Sequence, residues 1–138
     1  QLGGWLRGSF KPAEGARFDL AVSPRGRLYR VWCGRPHAAE QVSYWTGNAS
    51  RAAADDAADC RLDAVDALGS TDALDDGSLQ VVVVDSTVDE DTGEVLTGPD
   101  ARSAANGFYV DCLLMPAQPG RELDGPLRGL GDGPVPLR

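Results

Sequence analysis

Apolar and polar positions change their period several times along the chain, and each change marks an element. Phe18, Leu20 and Val22 alternate with Arg17, Asp19 and Ala21, the two-residue period of a strand. Leu28 to Cys33 is rich in β-formers. Between the two runs, Ser23-Pro24-Arg25-Gly26 is a turn in which proline presets φ and glycine supplies a positive one, so the pair predicts a hairpin. Gly34 and Pro36 interrupt the chain, and Gln41-Val42-Ser43-Tyr44-Trp45-Thr46 is the next strand. The period then becomes helical. Ala49 to Leu68 contains neither Gly nor Pro, Asn48 precedes it as an N-cap, and Gly69 stops it. Ala53, Ala57, Cys60, Ala64 and Leu68 recur at helical spacing and form the expected buried stripe.

Leu79 to Val84 reads as a central strand. Ser86 to Asn106 is acidic, with turn signals at Thr92-Gly93 and Gly98-Pro99, and is either a protruding hairpin or a mobile loop. In the last strand, Phe108 to Leu114, the side chains of Phe108, Val110, Cys112 and Leu114 share one face. The pattern predicts an α+β fold, an antiparallel sheet of about five strands with one long helix packed on one face. Residues 1–15 read as a linker or N-terminal tail, 16–129 as a single domain, and 130–138 as a Gly/Pro-rich tail. The 138 residues suffice to bury a core without help from a metal.

Charge narrows the partners. A formal charge of -8 disfavours nucleic acid and anionic lipid headgroups, both of which select clustered Lys and Arg. The longest apolar run, Val81 to Val84, is far short of the roughly 20 residues that span a bilayer, so no direct membrane insertion is expected within these residues. The chain opens at Gln1 without an initiator Met and reads as a processed or trimmed form. Three cysteines, Cys33, Cys60 and Cys112, contain no CxxC pair. In an exported chain they imply one bridge and one leftover thiol, and in a cytosolic chain three reduced thiols.

Candidate chemistry is sparse. Cys33, His37, Cys60 and Cys112 have the ligand number of a structural zinc site, but such sites pair their ligands at close spacing and these are scattered. Cys33 beside His37 is a nucleophile–base combination that lacks an oxyanion motif or a following helix N-terminus. Asp85, Asp89, Asp91 and Glu94 invite Ca²⁺, yet the run departs in register from a calcium loop and lacks its closing Glu, so a solvated hairpin tip is the plainer reading. Neither catalytic residues nor a metal or other cofactor is assigned. Tyr29, Trp32, Tyr44 and Trp45 concentrate the aromatic side chains of the first half. On adjacent strands, their outward members would form the candidate partner surface.

One phrase is specific enough to carry a likeness. Cys33-Gly34-Arg35-Pro36-His37-Ala38-Ala39-Glu40 is a C-x-x-P-H-x-x-E element directly after the hairpin. A helix with Cys60, a strand with Cys112 and the closing phrase Leu123-Asp124-Gly125-Pro126-Leu127-Arg128-Gly129 follow. Together these resemble the septum formation domain family of exported or membrane-tethered actinobacterial proteins, over Gly15 to Gly129, with Cys33, Pro36, His37 and Glu40 as the motif. The chain departs from that pattern at Gly15-Ala16-Arg17-Phe18, where the family has Gly-Asp-Cys-Phe, and at Ala105-Asn106-Gly107, near which the family often has Trp.

The resemblance implies an architecture and an extracytoplasmic location, secreted or tethered to the outer face of the cytoplasmic membrane, but no chemistry. It also bears on the cysteines. Arg17 falls within a residue of facing Cys33 across the hairpin, so the missing family cysteine leaves Cys33 as a free thiol and implies a Cys60–Cys112 disulfide. The expected function is that of a non-catalytic binding or accessory domain of the bacterial cell envelope, with an envelope or membrane protein or cell-wall material as partner. The alternatives are a structural subunit of a membrane-anchored complex and, below it, a thiol-dependent enzyme or redox protein.

Overall fold

The computed structural model describes residues 36–138, together with the backbone of residues 18–22 and 28–32. Strands β1 (Phe18–Val22) and β2 (Leu28–Trp32) form an antiparallel ladder running from Phe18 opposite Trp32 to Val22 opposite Leu28. The main sheet contains β3 (Glu40–Thr46), β4 (Leu79–Val88), β5 (Val95–Thr97) and β6 (Tyr109–Pro116), in the order β3-β6-β4-β5 and antiparallel throughout. Three helices accompany it among the described residues: α1 (Ala53–Leu68), α2 (Asp72–Asp75) and α3 (Gly98–Arg102). The fold is therefore α+β. The sheet has four strands instead of about five, because β1 and β2 pair in a two-stranded sheet of their own. The linker expected at 1–15, the turn at 23–26 and the Arg17–Cys33 pairing lie outside the described residues.

Strand β6 lies between β3 and β4 and buries side chains on both faces. Val110, Cys112 and Leu114 are buried on one face and Leu113 on the other. Helix α1 lies on the Cys112 face, tied to it by the Cys60–Cys112 disulfide across a Cα separation of 5.4 Å.

Two details of α1 correct the expectations. The helix starts at Ala53, after an extended Ala52, and Asn48 does not cap it. The Asn48 Oδ1 instead accepts from the Ser50 N–H at 3.0 Å and the Ser50 hydroxyl at 2.6 Å, closing a turn that competes with helix. The buried stripe runs Asp56, Cys60, Ala64, Ala67, Leu68, while Ala53 and Ala57 are exposed. A carboxylate takes the inward place because a guanidinium meets it there.

The boundary drawn at Gly129 does not coincide with a boundary in the fold. Ala64, Leu68, Ala73, Leu79, Leu114, Leu123 and Leu127 form one core cluster, and Leu130, Val135 and Leu137 pack against it. Residues 130–138 are a strap laid over this core, paired through Leu123 opposite Leu137. The strap region also ends α1. The carbonyls of Ala67 and Leu68 accept N–H bonds from Gly129 and Gly131, each at 2.7 Å, after Gly69 has turned the chain at φ 79°.

A second cluster, Ala101, Phe108 and Val110, gathers Trp45, Val83 and Leu96. Gly47 is required beside it, since a Cβ there would sit 2.1 Å from the Phe108 ring. The acidic stretch takes the hairpin form. Asp89 N–H donates to Glu94 O at 2.8 Å, and the Asp89 carboxylate accepts from the N–H groups of Asp91 and Thr92. No described helix is long and apolar enough to cross a membrane.

Candidate functional site

The two halves of the family-like pattern meet in the structure. His37 pairs its backbone with Leu123 in both directions, at 2.9 and 2.7 Å. Its Nε2 lies 2.9 Å from Glu40 Oε1, and both Glu40 oxygens lie 3.0 Å from the donating N–H of Leu127. His37 and Glu40 are 1% and 4% exposed, and Leu123 and Leu127 are fully enclosed. His37 and Glu40 thus belong to a clamp that holds the closing phrase onto the sheet, and Pro36 is the half-buried residue before it. A carboxylate that receives a buried backbone N–H and a histidine at once is committed to structure. Cys33 lies outside the described residues, and the free-thiol expectation with it.

A second polar centre joins α1, α3 and β4. Arg102 Nη1 donates to Asp56 Oδ2 at 3.0 Å and to Asp85 Oδ2 at 3.2 Å, and its Nη2 donates to the Arg51 carbonyl at 2.7 Å. The guanidinium also stacks over Phe108, 4.9 Å from the ring centroid. The bond to Asp56 foremost, and then the bond to Asp85, raises the Arg102 pKa above its already high ordinary value, against the opposing effect of burial. Asp56 is 1% exposed, so this cation is what permits a carboxylate on the inner face of α1.

Beside that centre, β3 and α1 enclose an open groove of about 270 Å³ lined by Trp45, Arg51, Asp59, Leu62 and Asp63. Its polar walls are held in place. Arg51 donates to Asp59 at 2.8 Å, and Ser43 donates to Asp63 at 2.7 Å. Leu62 is 69% exposed, the exposed large apolar side chain among the described residues.

Of the four aromatic residues whose outward members were expected to form a partner surface, Tyr29 and Trp32 have side chains outside the described residues. Tyr44 and Trp45 are consecutive in β3 and point to opposite faces, Trp45 toward the Phe108 cluster and the groove. The ladder neighbour of β3 is β6, whereas β2, which carries Tyr29 and Trp32, pairs with β1. Of the two described members of the candidate surface, Trp45 lines a concavity.

Two features of the structure escaped the sequence reading. Leu62 looked like one more helical position, although an apolar residue off the buried stripe is the signal that marks it. Asp111, fully buried in β6, was passed over inside an apolar run. It receives a hydrogen bond from Gln41 Nε2. Burial pushes its carboxyl up to about 7, with the Gln41 bond pulling in the other direction. Among the described residues, no three or more His, Cys, Asp or Glu side chains are grouped as metal ligands would be. Compared with family models, with curated proteins and with solved structures, the chain has no match.

Proposed function

We propose that this chain is a non-catalytic, extracytoplasmic binding or accessory domain of the bacterial cell envelope, and that it engages a protein partner through the β3–α1 groove. The observation that carries the reading is Leu62, 69% exposed beside the half-buried Trp45 in a concavity whose polar walls are already held by hydrogen bonds. An exposed apolar anchor next to an aromatic side chain, rimmed by charges, has the composition of a partner site. The buried disulfide supports an oxidising compartment. The clamp made by His37 and Glu40 supports the septum-formation resemblance as an architectural one, since it joins the two phrases on which that likeness rests.

The test is site-specific photo-crosslinking in a native envelope fraction, with the reactive group at Leu62 and, as control, at the exposed Ala57. A discrete adduct from position 62 that is missing from position 57 is the expected result, together with oxidised Cys60 and Cys112 after rapid acid trapping. Reduced cysteines in the cell would refute the compartment, and equal labelling from both positions would refute the groove.

A further inference from the structure

On the sheet face turned away from α1, three buried oxygens have no hydrogen-bond partner: Gln41 Oε1, Asp111 Oδ2 and Ser86 Oγ. Their common location follows from the ladder. Cys112 points to α1, so Asp111 points the opposite way, with Tyr44 of β3 and Val84 of β4 directly across from it. The register of β3 slips between Gln41 and Ser43, so Val42 is an extra residue and Gln41 joins Tyr44 on the Asp111 side. Gln41 Nε2 donates to Asp111 Oδ1. What remains on the two side chains is a pair of acceptors, and an ionised carboxylate has nothing to donate to an amide oxygen.

One proton on Oδ2 resolves both orphans. It turns Asp111 into a donor and Gln41 Oε1 into its acceptor, giving two antiparallel hydrogen bonds between acid and amide. We propose that Asp111 is a proton-operated lock, carried as the neutral acid in the folded chain and doubly hydrogen-bonded to Gln41, which fastens the β3 bulge to β6 and tightens the domain as its surroundings acidify. The proton comes from solvent and returns to it.

The surroundings agree. Among the described side chains, the titratable groups on this face are the phenols of Tyr44 and Tyr109, and Ser86 adds a hydroxyl; strand β1, which packs against β3, carries Asp19. The neighbouring carboxylates, Glu40 and Asp85, are held elsewhere by Leu127 and Arg102. Arg128 reaches the bulge through the Val42 carbonyl, at 3.4 Å. Among the described residues no counter-charge offsets the burial of Asp111, and its carboxyl is raised from 3.8 to about 7. The folded chain then keeps a proton that the unfolded chain releases in this window. The stabilisation is complete below the lower value, declines as pH rises, and is lost above the upper one. A domain facing the exterior would experience that window directly.

The decisive measurement is a carboxyl-carbon NMR titration of the chain labelled at aspartate. Asp111 should titrate near neutrality, and titration in the ordinary aspartate range overturns the proposal. Asp111→Asn cannot ionise but can still donate to and accept from Gln41. Its urea midpoint should stay level from about pH 4 to about pH 8, where the wild-type midpoint falls. Parallel profiles would overturn the lock. Asp111→Leu, neutral at every pH and unable to bond Gln41, should have a lower midpoint than Asp111→Asn at about pH 4. Equal midpoints would show that the second hydrogen bond is not made.

Discussion

Removing the Cys60–Cys112 bridge is the perturbation whose size follows most directly from the structure. The cross-link spans a sequence separation of 52. In the chain-entropy account, a closed loop of that length removes about 14 cal/mol/K from the unfolded ensemble, or about 4 kcal/mol at 25 °C. Domains of this size are stable by about 5–15 kcal/mol, so the loss is large but survivable. At about 3 °C per kcal/mol it corresponds to a fall in Tm of about 12 °C. Both cysteines are fully enclosed, so reductant added to the native protein should act only as fast as the domain opens. The assay is urea unfolding of the oxidised protein, of protein reduced in denaturant and refolded, and of Cys60→Ala/Cys112→Ala. A change below about 1 kcal/mol would refute the argument, because the entropic term would then be absent or cancelled. Non-reducing peptide mapping checks the premise, and a peptide joining Cys33 to either partner would overturn the pairing.

Glu40→Ala should cost about 1–3 kcal/mol, since the buried Leu127 N–H loses its acceptor. Hydrogen exchange at that amide should accelerate, and unchanged protection would show that the clamp does not hold the strap. Ala64→Leu should overpack the core and cost about 1–3 kcal/mol, because Ala64 is fully enclosed between α1 and the sheet. Ala57→Leu, on the exposed side of the same helix, should fall within about 0.5 kcal/mol of wild type, and equal costs at the two positions would put the helix face in the wrong place.

What the sequence made legible was whatever a local pattern encodes. Alternation placed β6, β-forming runs placed β3 and the first part of β4, and the absence of Gly and Pro placed α1. The inward Cys60 and Cys112 were readable from their periodicities. The start of α1 was misread because Asn48 can satisfy either a helix or a turn, and only the neighbouring Ser50 decides between them. Ala57 was placed inside because alanine is indifferent to burial. The inward Asp56 is explained by Arg102, 46 positions away in sequence. Residues 130–138 read as a tail because glycine and proline mark irregular backbone without saying whether it is packed. The candidate site was less legible than the fold. Cys33, Pro36, His37 and Glu40 stood out as chemistry, yet the backbone of Leu123 and Leu127 turned His37 and Glu40 into structure. Trp45 was visible as an aromatic residue and its opposite facing to Tyr44 follows from strand alternation, but which of the two meets the groove depends on the face that α1 covers.

The central position of β6 governs how the chain must be made. Strands β3 and β4 share no ladder, so a nascent chain that has not yet produced residues 109–116 can close only the local β1–β2 and β4–β5 hairpins among the described strands. Until then, β3 and one side of β4 are open edges, the kind that pair with another copy when chains are crowded. The sheet therefore assembles late and through contacts distant in sequence, a topology that slows folding. A fragment cut short before β6 should be captured by chaperones or accumulate as aggregates, even though it carries most of the strand-forming sequence.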